Sequence, residues 1–228
     1  MVRPLILQVV NTKPVPRTNS RSLRSFSSIA SFVFHPLLIV TYMMILLYYI
    51  DIQEFSLISR NQFWKWLGFI FLTTVLFPFL AILVLRLAGS ISDAFMHLPK
   101  DRILPLTSTL LFYSWAFYFF EFKALVPLLM RTLLLGAIFS IMIDLVINFF
   151  YKVSVHTTAA AMMPGIILTI MIIDPSMPVS ILISVIFAAA LVGWVRWWLG
   201  AHTIGQIFLG YSIGTSMQLI AWLILGSA

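Results

Sequence analysis

The chain has 228 residues, 61% of them hydrophobic and only 9% charged, where a soluble domain carries about a quarter charged residues. A mean hydropathy of +1.06 excludes one water-soluble core of this size and predicts an integral membrane protein. The net charge of +7 then reports orientation and attraction to anionic head groups rather than nucleic acid, and the lack of cysteine excludes disulfides and thiolate metal sites.

Residues 1–28 hold Arg3, Lys13, Arg17, Arg21 and Arg24, three prolines and no acid. This composition predicts a flexible basic tail without the aromatic interleaving of a nucleic-acid binder. The apolar run Leu5–Val10 is too short for the core of a signal peptide. Residues 29–228 read as one transmembrane domain, an all-α polytopic bundle of six to seven helices, since each span needs about 20 mostly apolar residues.

In chain order the spans are Ile29–Ile50, Trp66–Leu85, Ile103–Phe120, Leu125–Phe150, Val153–Ile173, Met177–Val195 and Gly200–Ala228. Phe63, Trp64 and Trp66 form an interfacial anchor ahead of the second. His35, before Pro36 in the first span, is expected to cap or kink it, with contact to a substrate as the sharper alternative. Arg131 is expected to snorkel to the head groups, and Lys152 to anchor at the interface. Asp174-Pro175 marks a turn.

Asp144, Asn148 and Lys152 recur every four residues and form one polar stripe. A rise of 1.5 Å per residue puts Asp144 roughly 12 Å below Lys152, too deep to orient a residue at the mouth. A buried hydrogen bond to Asn148 or a neighbouring helix is the expected role, with a proton or ion pathway as the alternative. Gly205, Gly210 and Gly214 in the last span invite close helix approach. The GxxxG at Gly210 and Gly214 reads as internal packing, with homo-oligomerisation left open.

Three polar junctions stand out: Pro99 to Pro105, Lys152 to His156, and Arg196 to Gln206. Two spans separate each from the next, so all three lie on one side of the membrane and can converge on one mouth. Lys100 and Arg102 bring positive charge, and the planar fork of Arg102 suits phosphate oxygens. Ser154 offers a hydroxyl beside the backbone amides that open a helix. His156 suits a general acid, and His202 a nucleophile or base. Arg196 can hold the remaining oxygens as charge shifts. Gln206 follows His202 by four residues, one helical turn. The set suffices for phosphoryl transfer through a phosphohistidine. No Asp/His cluster has metal-ligand spacing, so neither metal nor other cofactor is expected.

These junctions resemble the three signature motifs of the type 2 phosphatidic acid phosphatase family, over roughly residues 100–210. The family's third motif is Ser-Arg, five residues, His, three residues, Asp; here stand Val195-Arg196, five residues, His202, three residues and Gln206. Its second, Pro-Ser-Gly-His, reads Val153-Ser154-Val155-His156. Its first, Lys, six residues, Arg-Pro, is echoed at shorter spacing by Lys100, Arg102 and Pro105.

The resemblance implies a helical-bundle enzyme that dephosphorylates lipid phosphates or polyprenyl diphosphates. His202 would be the nucleophile and His156 the acid for the leaving group, with Lys100, Arg102, Ser154 and Arg196 as phosphate ligands. Gln206 stands in place of the aspartate that orients the nucleophile. It can accept from the imidazole or donate to it, and the two choices favour opposite tautomers. Val155 replaces the glycine of the second motif.

The expected partners are a lipid phosphate substrate and membrane lipids, in a bacterial plasma (inner) membrane. Ten of the fourteen Lys and Arg residues fall on the side of the tail. This puts the N-terminus in the cytoplasm and leaves the side bearing the site open, since four of the ten belong to the motifs. A lipid phosphotransferase on the same scaffold, and a non-catalytic binder or transporter, are the alternatives.

Overall fold

The computed structural model describes residues 21–50, 52–55, 58–91, 100–122 and 126–227. Pro99 and residues 1–20, with Arg3, Lys13 and Arg17, lie outside them. The described residues form an all-α bundle in which six helices are long and apolar enough to cross a membrane, or seven if a bent pair counts as one span. The chain is therefore an integral membrane protein.

The first span is bent at His35-Pro36, the kink expected there. Helix α1, Arg21–Val33, begins inside what composition suggested was tail, and α2 is Pro36–Ile50. They meet at 59°. Proline is the cause: the residue before it is pushed out of helical geometry, and Pro36 itself suits the first turn of a new helix. After the single turn α3, Ile52–Phe55, the next span runs Arg60–Leu87 as α4 (Arg60–Phe71), a π-helical turn (Leu72–Leu76) and α5 (Phe77–Leu87). The π turn precedes Pro78, where the missing N–H would break a regular ladder. Thr73 and Thr74 hydroxyls donate to the Phe69 and Ile70 carbonyls there at 2.8 Å.

Four single-helix spans follow, α6 (Lys100–Phe122), α7 (Leu128–Asn148), α8 (Val155–Ile173) and α9 (Val179–Trp198), and then α10 (Ile204–Gly226). The Glu54 carboxylate accepts the Leu129 amide at the start of α7, at 3.1 Å, where a negative charge faces the positive helix end. The Arg131 Nη1 donates to Glu121 at 3.0 Å, because the C-terminal end of α6 lies beside it. Asp174 caps its turn as expected, accepting from the Ser176 amide and hydroxyl at 2.9 and 2.6 Å.

Helix α8 is the centre, packed against α2, α7, α9 and α10. Lipid tails are as apolar as leucine, so helices associate in a bilayer through close packing and hydrogen bonds. The α8–α10 seam uses both. A Cβ on Gly214 would overlap the Thr158 carbonyl and lie 2.9 Å from Ala161 Cβ, and one on Gly210 would lie 2.9 Å from the Ser154 carbonyl. The Thr157 hydroxyl donates across the seam to the Ile207 carbonyl at 3.2 Å, and the Thr215 hydroxyl to that of Ala161 at 3.3 Å. The GxxxG thus packs inside the chain. Gly205 is not part of the seam, since a Cβ there would meet only the Tyr151 hydroxyl, at 3.6 Å.

The seam fixes which helix starts sit together. It sets the first turn of α8, with His156, beside the first turn of α10, just after His202. Gly214→Ala is expected to lower thermal stability in detergent by several degrees, about 1–3 kcal/mol of overpacking, because the obstructing atom is backbone. An unchanged melting temperature would show that the helices pass with more room.

Candidate functional site

A cavity of about 180 Å³ opens between α2, α6, α7, α8 and α9. Its wall follows helical faces. Arg102, Pro105, Leu106, Thr109 and Tyr113 of α6 line it, as do Ala137, Ser140, Ile141 and Asp144 of α7, at the three-, four- and seven-residue steps of one helix side. From Arg102 to Tyr113 the lining extends about 16 Å along the helix axis. Polar groups gather at one end, where His35, Arg102, His156, Arg196 and His202 meet. The other end is mostly apolar, which is the lining expected of a site for an amphiphile.

Each polar residue is placed by an identifiable local device. Arg196 occupies the last turn of α9, rather than the loop after it. That helix ends in a Schellman motif: the Ala201 amide donates to the Arg196 carbonyl at 3.1 Å and the Gly200 amide to that of Trp197 at 3.0 Å. Gly200 sits at φ 66°, the left-handed conformation that glycine adopts without strain. The motif turns the chain at once, so His202 comes back beside the arginine six residues before it. The Arg196 Nε is buried with no hydrogen-bond partner among the described residues.

His202 is not on the last helix. It precedes Thr203, the N-cap of α10, yet it still reaches Gln206. Its Nδ1 lies 3.0 Å from Gln206 Oε1, and the same oxygen accepts the Thr203 amide at 3.3 Å. The Gln206 amide in turn donates to the Thr203 hydroxyl, at 3.4 Å, completing a capping box. A backbone N–H is always a donor, so Gln206 must present its oxygen here and not its NH2. The imidazole therefore carries its proton on Nδ1 and keeps the lone pair on Nε2. The choice left open by sequence falls on the side of the acceptor.

Burial, and then the charges of Arg196, Lys152 and Arg102, hold the pKa of His202 far below the ordinary histidine value, against a weaker opposing pull from Gln206. The ring is neutral at physiological pH.

Arg102 donates from Nη1 to the Val153 carbonyl at 3.2 Å, tying α6 to the loop before α8. Lys152, expected as an interfacial anchor, instead donates to the Ala201 carbonyl at 3.0 Å. It straps the loop before α8 to the loop holding His202. Burial, reinforced by Arg102 and Arg196, pulls its ammonium down to about 8.

Two candidate ligands lie off the cavity. Lys100 is exposed at the start of α6; residues two apart on a helix are about 200° apart, so it cannot share the inward face of Arg102. Ser154 is fully buried. As N-cap of α8 it gives its carbonyl to the Thr157 and Thr158 amides at 2.9 and 3.0 Å, while its hydroxyl has no hydrogen-bond partner among the described residues.

Two lining residues had been given other roles. Asp144 is buried and accepts the Thr158 hydroxyl at 3.1 Å, the neighbouring-helix bond expected, but it also faces the cavity within electrostatic reach of Arg102. His35 caps α2 through its Nδ1, which accepts the Leu37 amide at 3.3 Å, and its ring also meets that of His156 edge-on at 5.7 Å. Proximity to Pro36 signalled the cap; nothing local signalled the second histidine. Among the described residues, no group of three or more His, Cys, Asp or Glu is arranged to ligate a metal.

No protein-family model, curated protein or solved structure matches the chain.

Proposed function

We propose that the chain is a membrane-embedded phosphatase of the type 2 phosphatidic acid phosphatase kind. It would hydrolyse a lipid phosphate or polyprenyl diphosphate through a phosphohistidine at His202. The observation that carries this reading is a neutral imidazole with one nitrogen tied to an amide oxygen, in a cavity walled by two arginines and a second imidazole. A buried arginine N–H without a partner, as at Arg196, is costly unless an anion completes it.

In the first step His202 Nε2 attacks phosphorus, the bond from phosphorus to the lipid oxygen breaks, and His156 gives that oxygen its proton. In the second, water attacks the phosphorus held on Nε2. His156 takes a proton from the water, the P–N bond breaks, and phosphate leaves. Arg102 and Arg196 hold the non-bridging oxygens through both steps, and the apolar end of the cavity takes the first part of the tail. Gln206 is a positioning residue. Phosphate release by purified protein from phosphatidate and undecaprenyl diphosphate tests the reading. Release no faster than that of His202→Ala on every lipid tried sinks it.

Lys152 adds a pH dependence. A bound anion favours its charged form, so linkage makes anion affinity fall as pH rises through about 8, where the empty site gives up that proton. KM is expected to climb above this pH in the wild-type chain and to lose that alkaline limb in Lys152→Met. An identical limb in both would place the titration elsewhere.

A further inference from the structure

The geometry points to a third histidine in the site: we propose that His35 donates a hydrogen bond from Nε2 to an oxygen of the bound phosphate. This rests on the reading of the cavity as a phosphate site, and it assigns a ligand that none of the three motifs contains.

The argument starts at the helix break. Pro36 forces the chain out of helical geometry at His35, and the ring then folds over the start of α2, where Nδ1 accepts the Leu37 amide at 3.3 Å. That bond decides the tautomer. A nitrogen accepting a backbone N–H carries no hydrogen, so the neutral ring holds its proton on Nε2. His202 has the opposite arrangement, with Nδ1 protonated toward Gln206. Across one cavity, His35 therefore offers a donor and His202 a lone pair.

Position supports the role. His35 lines the same end of the cavity as Arg102, His156, Arg196 and His202, and its ring stands edge-on to that of His156 at 5.7 Å. It approaches from α2, whereas the other four come from α6, α8, α9 and the loop before α10. A phosphate has oxygens in a tetrahedral array, and a neutral donor from a further element adds to the shell without adding charge beside two arginines.

The experiment is a titration of full-length protein, carrying 15N-labelled histidine in detergent, with inorganic phosphate. The chain has four histidines, few enough to assign by single substitution. Before phosphate, His35 is expected as the Nε2–H tautomer and His202 as the Nδ1–H tautomer. Phosphate should shift the His35 Nε2 resonance. Two variants separate ligand from cap, since Asn and Asp both accept an amide two residues on.

His35→Asp keeps the cap and replaces the donor with a charge, so phosphate binding should weaken by more than about tenfold. His35→Asn keeps the cap, but its short amide does not reach the place of Nε2, so phosphate binding should weaken by about tenfold without any added charge. His202 signals that respond while those of His35 stay still, or an Asn variant that binds phosphate as tightly as wild type, would reduce His35 to a helix cap. No response from any histidine would overturn the phosphate site itself, and this proposal with it.

Discussion

Purified His202→Ala protein is expected to release phosphate from phosphatidate or undecaprenyl diphosphate at least about a thousandfold more slowly than the wild-type chain. On the proposed mechanism the substitution removes the atom that would bond to phosphorus. The arginine pair and the apolar wall remain, so lipid should still bind and KM should change little. His202 lies in a five-residue turn held from outside by the Schellman hydrogen bonds and by Lys152, so alanine there leaves the fold in place. Rapid acid-free quenching with labelled substrate should trap a base-stable, acid-labile phosphoprotein in the wild-type chain and none in the variant. Equal rates in the two proteins would move the nucleophile to another residue.

The second large effect belongs to Gln206. Gln206→Leu removes the oxygen that fixes the tautomer and orientation of His202, and turnover is expected to fall by about a hundredfold or more. In serine-protease triads, an amide that imposes the wrong tautomer costs about four decades. This chain escapes that loss because Gln206 Oε1 also accepts the Thr203 amide, which fixes which end of the amide faces the ring. Gln206→Glu has the same reach, keeps both acceptor bonds and adds a charge that would stabilise the imidazolium of the attacking ring. It should hold or raise kcat, by up to about tenfold. A large loss in the glutamate variant would mean that the amide NH2 has a role of its own, and that the positioning role assigned to Gln206 is incomplete. A chain that is only a binder or transporter gains no phosphatase activity from either change.

Much of this arrangement was legible in sequence because it is periodic or local. Span lengths gave the bundle, and counting crossings put the three junctions on one side. The spacing of Arg196, His202 and Gln206 survives because a helix end, a turn and a helix start each have fixed geometry. The failures arise where a residue's direction depends on an element boundary. Lys100 and Arg102 looked equivalent in a loop, but α6 begins at Lys100, and the turn of the helix separates them. Ser154 reads from sequence as a phosphate ligand beside His156, yet the close approach of α10 at Gly210 buries it off the cavity lining.

The depth read for Asp144 assumes helix as far as Lys152, whereas α7 ends at Asn148 and Lys152 lies in the loop after it. The aspartate also lines the cavity, and sequence does not say how far down a cavity reaches. Lys152 found a partner distant in the chain, the Ala201 carbonyl, and composition carries no record of such a pair.

The bend between α1 and α2 bears on where the chemistry meets the bilayer. Fifteen residues of α2 measure about 22 Å end to end, while the hydrocarbon layer is roughly 30 Å thick. Counted as one span with α1, which meets it at 59°, the bent pair makes up that depth. His35, at the corner, then lies below the outer end of the pair. A lipid already at rest in the leaflet would bring its head group to that level by moving sideways, with no need to lift its chains into water.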